Sequence, residues 1–194
     1  MKMVSAINML SRWDRHGRYV YLKRDLRKMF AEPEQTLNDS LDRLIRDKVL
    51  VRAARGVFVY QLSSHIDEGT LDMVARSLRR GHLTYESLES ALSTYGIISQ
   101  IPVDRRTYMT SGREGTYVTP YGTIEFTHTA VRPSKLMPDL VTLKGREVPI
   151  ATKELAMRNL KSTHRNLDLI GPIDPNDPKD PKDPNASKEI SHGR

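Results

Sequence analysis

YVYLKRDLRKMFAEPEQTLNDSLDRLIRDKVLVRAARGVFVYQL, residues 19–62, is the stretch whose reading decides the fold. Leu22, Leu26, Met29 and Phe30 share one face of a first helical period, and Leu37, Leu41, Leu44 and Ile45 share one face of a second. Spacings of three and four residues bury one side of an amphipathic helix, so the two stripes call for a shared core. Phe30-Ala31-Glu32-Pro33 marks the turn between them. Pro33 suits the first position of a new helix, where its absent N–H is no loss, and Glu32, Glu34 and Gln35 suit a helix start. Beyond this helix-turn-helix, Val49 and Val51, then Val57, Val59 and Tyr60, form two β-rich runs. Arg52-Ala53-Ala54-Arg55-Gly56 joins them, and Gly56 can take the positive φ that a tight hairpin asks for. The expected hairpin is a wing with arginines at its tip.

Working outward, residues 4–15 read as a helix with Ala6, Ile7, Leu10 and Trp13 on one side, ended by His16-Gly17. Tyr19-Val20-Tyr21 reads as a short strand that pairs with the wing. The order helix, strand, helix, helix, hairpin is that of a winged helix. Charge supports the reading: residues 1–62 hold 13 Lys and Arg against 7 Asp and Glu, which is +6 of the whole chain's net +7. Positive charge concentrated on one small folded unit is the electrostatic footprint of polyanion binding.

On the second helix, the face opposite Leu37, Leu41 and Leu44 presents Gln35, Thr36, Asp39, Asp42, Arg43 and Arg46, with Asn38 and Ser40 at its flanks. Gln and Asn can read adenine edges, Arg can read guanine, and Thr or Ser can bond phosphate. Asp39 and Asp42 stand four residues before Arg43 and Arg46, a spacing that pairs charges along a solvated face. Arg52 and Arg55 would touch phosphate or enter a minor groove, with Arg18, Lys23, Arg24, Arg27 and Lys28 close by in the pattern. A winged helix used for protein contacts, without DNA, is the alternative reading of the same face.

Length and composition bound the rest. The 194 residues suffice for two small domains, and 38% hydrophobic with 28% charged residues fits a globular protein. No apolar run approaches the about 20 residues of a membrane helix, and no export signal is evident behind Met1-Lys2-Met3-Val4, so a cytoplasmic location with no membrane partner is expected. With no cysteine, disulfides, thiolate metal sites and cysteine nucleophiles are excluded.

Residues 63–69 are polar and turn-like, a hinge ahead of an expected α+β domain over residues 63–170. Helices are expected over residues 70–80 and from Thr84-Tyr85-Glu86-Ser87 to Gly96, with strands around residues 97–101, 106–110, 116–119, 123–129 and 141–149. Pro120-Tyr121-Gly122 reads as a hairpin turn, and residues 150–169 as a last, basic helix. Over residues 171–194 a repeated Asp-Pro-Lys or Asp-Pro-Asn unit has too few apolar groups to offset the entropy of ordering, so a disordered tail is expected.

Catalysis finds little support. Thr110-Ser111-Gly112-Arg113-Glu114-Gly115 lacks the Lys-Ser/Thr ending of a phosphate-binding loop, and no carboxylate pair follows it. His128 and His164 have no companion at metal-ligand spacing, and Glu86 and Glu89 read as the outer face of a helix. No cofactor and no small-molecule substrate is expected. Arg105, Arg106 and Arg113 read as arginines gathered at a strand edge, a candidate partner-binding surface.

The run Asp47-Lys48-Val49-Leu50-Val51-Arg52-Ala53-Ala54-Arg55-Gly56-Val57-Phe58 and residues 85–98 (YESLESALSTYGII), with Tyr108-Met109-Thr110-Ser111-Gly112-Arg113 and Gly122-Thr123-Ile124-Glu125-Phe126-Thr127-His128, resemble the AbiEi family of antitoxins. The resemblance spans residues 5–170. It implies a winged helix over residues 1–62 that represses its own operon at inverted repeats of double-stranded operator DNA. It also implies a second domain, over residues 63–170, that counters an AbiEii-type nucleotidyltransferase toxin, with no enzymatic activity of its own. Carried onto this chain, the DNA role falls on Gln35, Thr36, Arg43, Arg46, Arg52 and Arg55, with Asn38, Lys23 and Arg27 beside them, and the toxin-facing role on Arg105, Arg106 and Arg113.

Overall fold

A computed structural model describes residues 1–98 and 104–164. The described residues are mixed α+β and divide into two compact units, Met1–Arg80 with Tyr117–Tyr121, and the described parts of Gly81–Thr116 with residues 122–164. The expected strand at residues 97–101 is not formed at residues 97 and 98, and its remainder, like the expected tail, lies outside the described residues. No helix among the described residues is long and apolar enough to cross a membrane.

The first unit begins with α1 (Met3–Asp14), β1 (Val20–Leu22), α2 (Lys23–Phe30) and α3 (Glu34–Arg46). β2 (Leu50–Ala54), β3 (Val57–Tyr60) and α4 (Thr70–Leu78) complete it. Of the expected apolar stripes, Leu26 and Phe30 of α2, Leu37, Leu41 and Leu44 of α3, and Ala6 and Leu10 of α1 are buried, whereas Ile7, Leu22, Met29 and Ile45 are half-buried and Trp13 is exposed. Burying a Leu side chain stabilises by about 1.5–3 kcal/mol, so these stripes account for much of the packing of the three helices. Ala31 ends α2 in the left-handed region at φ 51°. Pro33 precedes α3 as its extended cap, φ −58° and ψ 154°, one residue earlier than a first helical position.

β3 is the middle strand of an antiparallel sheet ordered β1-β3-β2. The β2–β3 connection turns at Gly56, whose φ of +77° is the conformation the hairpin needs. A bulge between Arg52 and Ala54 shifts the register just before that turn.

The unit extends past the expected boundary at residue 62. α4 buries Leu71, Val74 and Ala75 and packs on β1 and β3, and the Tyr19 hydroxyl lies 3.1 Å from Thr70 Oγ1. The expected hinge is pinned as well. Ser63 Oγ donates to Asp14, and His65 Nδ1 sits 3.1 Å from the same Asp14 oxygen, Oδ1. Polar composition at residues 63–69 therefore reflects hydrogen bonding to α1 rather than a linker.

The second unit contains β4 (Thr84–Glu86), α5 (Leu88–Thr94), β5 (Arg105–Thr110), the first two residues of β6 (Gly115–Thr119), and β7 (Gly122–His128). It continues with α6 (Pro133–Leu136), a 3-10 turn at Met137–Asp139, β8 (Leu140–Val141), β9 (Ile150–Ala151) and α7 (Lys153–Ser162). The sheet runs β6-β7-β5-β4-β9-β8, with β5 parallel to β7 and antiparallel to β4, and β4 parallel to β9.

Several expectations are corrected here. Thr84–Glu86 is a strand, not a helix start: Thr and Tyr favour the pleated surface, and both flanks find partners in β5 and β9. α5 follows with Ser87 as its cap and Leu88 at φ 57°. Glu86 and Glu89, read as an outer face, are 3% and 4% exposed, and Glu86 pairs with Arg146. Of the strand expected over residues 141–149 only Val141, in β8, is formed, and the helix expected from residue 150 begins at Lys153, because Ile150–Ala151 pairs as β9; α7 is capped by Thr152, which accepts from the Leu155 amide.

α5 and α7 cover one side of this sheet through Leu88, Leu92, Tyr95, Leu155 and Leu160, against Tyr85, Met109 and Ile150. Polar groups are threaded through that layer. Asn159 Nδ2 donates to the Tyr85 hydroxyl at 3.2 Å and to Ser87 Oγ at 2.9 Å, and Tyr95 donates to the Ala151 carbonyl at 2.8 Å. Burial raises the Tyr85 hydroxyl pKa above its usual 10.0 although Asn159 opposes that rise. Asn159→Ala leaves two buried oxygens without this donor and should lower stability by about 1–3 kcal/mol. Urea unfolding at unchanged denaturant slope checks it, and a midpoint equal to the parent's would refute it.

Candidate nucleic-acid interface

α3, the β2–β3 hairpin and the start of α2 meet on one side of the first unit. The meeting follows from the pairing of β1 with β3: next to it the Lys23 amide donates to the Gly56 carbonyl at 2.9 Å, which fastens the first turn of α2 to the hairpin turn. α3 lies along β2, and Leu41 turns inward while Asn38 and Asp42, four residues apart along its rim, face the hairpin. Lys23, Asn38, Asp42, Arg52 and Arg55 thereby border one depression of about 470 Å³, with Leu41 and Phe58 in its wall.

The electrostatics of this face are partly internal. Arg52 lies 3.4 Å from Asp42 and its guanidinium stands 5.6 Å from the Phe58 ring centroid. Both partners of the pair are more than half exposed, so it is worth well under about 1 kcal/mol and opens readily to a stronger anion. Lys23 pairs with Glu34, and Arg27 stands 3.9 Å from the same carboxylate. The hydrogen bond and charge of Lys23 hold the Glu34 carboxyl below its usual range. Arg24, Arg46 and Arg55 are exposed and make no ion pair among the described residues.

The expected contacts thus separate. Gln35, Thr36 and Arg46 are exposed along α3 and Asn38 is half-buried at its rim. Arg43, also exposed, donates to the Met1 carbonyl at 2.6 Å and lies 3.4 Å from Ser40 Oγ, a tie between α3 and the start of the chain. Asp42 engages Arg52 across the hairpin and not Arg46 four residues on, because the hairpin brings a second arginine to it. Asp42 and Phe58 were not singled out as partners of Arg52 from the sequence, since only the β2–β3 register, Arg52 opposite Phe58, sets them side by side.

Arg105, Arg106 and Arg113 do not form one cluster. β5 lies inside its sheet, between β7 and β4, and not at an edge. Arg105 opens the strand and reaches Glu125 at 3.4 Å, Arg106 points to the other face, and exposed Arg113 follows the strand's far end, about 17 Å on. The Thr110–Gly115 loop turns its polar groups onto its own neighbours. Ser111 Oγ accepts from the Leu83 amide, Thr110 Oγ1 accepts from the Gly112 amide, and His128 Nδ1 lies 2.8 Å from the Gly112 carbonyl. Among the described residues no group of three or more His, Cys, Asp or Glu could hold a metal ion.

No family model and no curated protein matches the chain. Among solved structures, the RV2827C protein from Mycobacterium tuberculosis is similar over 68% of this chain, at 14% identity and a TM-score of 0.46. The chain spans about half of that protein, 47% of its length. Similarity at that level identifies neither a family nor an activity.

Asp42→Asn removes the carboxylate that holds Arg52. On a surface that meets DNA, this substitution should raise affinity for any duplex several-fold and steepen the slope of log affinity against log salt by up to about one unit. Fluorescence anisotropy across a salt series reads both; an unchanged slope would separate Asp42 from a DNA-facing surface.

Proposed function

We propose that the first unit is a winged helix that binds operator DNA, with α3 in the major groove and the β2–β3 hairpin as the wing, and that the chain is a non-catalytic antitoxin and autorepressor of the AbiEi kind. The observation that carries this reading is the shared depression. The rim of α3 and the hairpin arginines border the same surface, so a duplex lying along α3 would meet Arg52, Arg55 and Lys23 at its backbone. Gln35, Thr36 and Arg46 are exposed along the helix for base or phosphate contacts. Arg43, already bonded to Met1, is a weaker candidate for base reading than the sequence implied.

In this reading two copies occupy an inverted repeat upstream of the chain's own gene, and occupancy of the promoter represses it. Opposition to an AbiEii-type nucleotidyltransferase toxin falls to the second unit. Arg105 and Arg113, at opposite ends of β5, would contribute separately there rather than as one patch.

A second reading has a specific observation behind it: Glu34 and Asp42 already engage Lys23, Arg27 and Arg52, which suits a winged helix turned to protein contacts. A gel shift with the chain's own upstream DNA separates the two, since only the first expects a specific complex. Arg52→Ala with Arg55→Ala should weaken binding to specific and random duplex alike and flatten the salt slope by about one unit per lost phosphate contact. An unchanged slope would remove the wing from the DNA. In cells carrying the toxin, Arg105→Ala and Arg113→Ala should each reduce neutralisation and together reduce it roughly additively. Full protection by the double variant would discard these arginines as toxin contacts.

A further inference from the structure

A second basic surface of the first unit lies on the other flank of α2. Lys23 and Arg27 lean toward Glu34 at the start of α3, whereas Asp25 and Met29 point about half a turn away. There α1 and α2 border a cleft of about 1020 Å³ that shares no lining residue with the depression beside α3.

Its wall is a fixed aromatic surface. Trp13 of α1 is 41% exposed, and the Arg18 guanidinium is held between it and Tyr21, 5.3 and 5.6 Å from the two ring centroids. Asp25 anchors that guanidinium at 3.1 Å and takes a second from Arg80 at 2.9 Å. Burial alone would raise the Asp25 carboxyl; the hydrogen bonds from Arg80 and the Leu22 amide, with the charges of Arg80 and Arg18, outweigh it and hold the group below its usual 3.8. Asp25 therefore stays ionised at neutral pH and cancels one of two arginine charges. Arg12 and Lys28 add two more cations, both exposed and with no ion pair among the described residues. Met9 and Met29 also line the cleft and supply polarisable apolar surface.

The chemistry of an occupant follows. Inorganic phosphate would satisfy the cations and leave the Trp13 and methionine surface wet, while an apolar molecule would leave the cations uncompensated. A protein partner needs a broader apolar patch, and the other exposed large hydrophobic residues among those described, Val4, Leu62, Val118, Val131 and Met137, do not line the cleft. The volume is that of a small-molecule site. We propose that the α1–α2 cleft binds a small anion carrying a planar aromatic ring, of the nucleoside phosphate class, with the ring on Trp13 and the phosphate at Arg12 and Lys28. This site is independent of the face assigned to DNA.

Trp13 is the single tryptophan of the chain, so its fluorescence reports on this cleft alone. The full chain is titrated with adenosine and guanosine monophosphates, with inorganic phosphate, ribose 5-phosphate and an acidic phenylalanine-containing peptide in parallel arms. Equilibrium dialysis of labelled nucleotide supplies an independent constant. The expected result is saturable quenching by a nucleoside monophosphate at micromolar to millimolar concentration. Arg12→Ala with Lys28→Ala should weaken it at least about tenfold, and Arg52→Ala with Arg55→Ala should leave it unchanged. Arg12 and Lys28 are exposed, so the double variant should fold, and its melting curve verifies that. No saturable signal at millimolar nucleotide would overturn the proposal. So would equal competition by inorganic phosphate or ribose 5-phosphate, tighter binding of the peptide, an unchanged constant in the Arg12/Lys28 variant, or loss of binding in the Arg52/Arg55 variant.

Discussion

β3 is the constraint on which the first unit depends. Its residues Val57, Phe58, Val59 and Tyr60 are all buried, and it is hydrogen-bonded by β1 on one side and β2 on the other. A strand held on both sides and covered on both faces cannot slip by one residue without moving every side chain to the opposite face. That register places Phe58 opposite Arg52 and Val57 opposite Leu22, the residue before α2. The positions of Lys23, Arg52 and Arg55 around one depression are thus consequences of strand pairing rather than of any attraction between cations.

The charges of the first unit are organised by what they are paired with. Beside α3, carboxylates on the helix hold cations in exposed, easily opened pairs, an arrangement that keeps the side chains ordered while leaving them available to a polyanion. On the flank of α2 next to α1, Asp25 is less exposed and makes stronger contacts, and its two arginines brace an aromatic wall. The same net charge therefore has two distinct local forms, and only one of them has an indole within it.

In the second unit several buried polar residues are structural. Thr107 and Ser90 exchange hydrogen bonds with each other's backbone amides at 2.9 and 3.1 Å, and Thr107 Oγ1 donates to the Ser87 carbonyl at 2.7 Å. These bonds join β5 to the start of α5, where Leu88 is held at φ 57° with its side chain fully buried. A Leu in the left-handed region costs on the order of 1 kcal/mol, offset here by its burial and by the surrounding polar ties. The junction that sequence periodicity reads as a continuous helix start is in fact a strand, a Ser at the N-cap position whose hydroxyl is taken by Asn159, and a strained first residue.

The sequence by itself determined the two amphipathic helices, the hairpin with positive φ at Gly56, the turn at Pro120-Tyr121-Gly122 and the localisation of basic charge, because each depends on periodicity or on residues within one turn of each other. It also named Lys23, Asn38, Arg52 and Arg55, which are brought together. Only the tertiary structure decided that Thr84–Glu86 is a strand, that Glu86 is buried against Arg146, that Asp42 answers to Arg52, and that Trp13, Arg18, Asp25 and Arg80 form one wall. Each of these joins residues far apart in the chain or resolves a short segment with no period of its own, and such pairings are selected by the packing of the whole core, which local spacing does not encode.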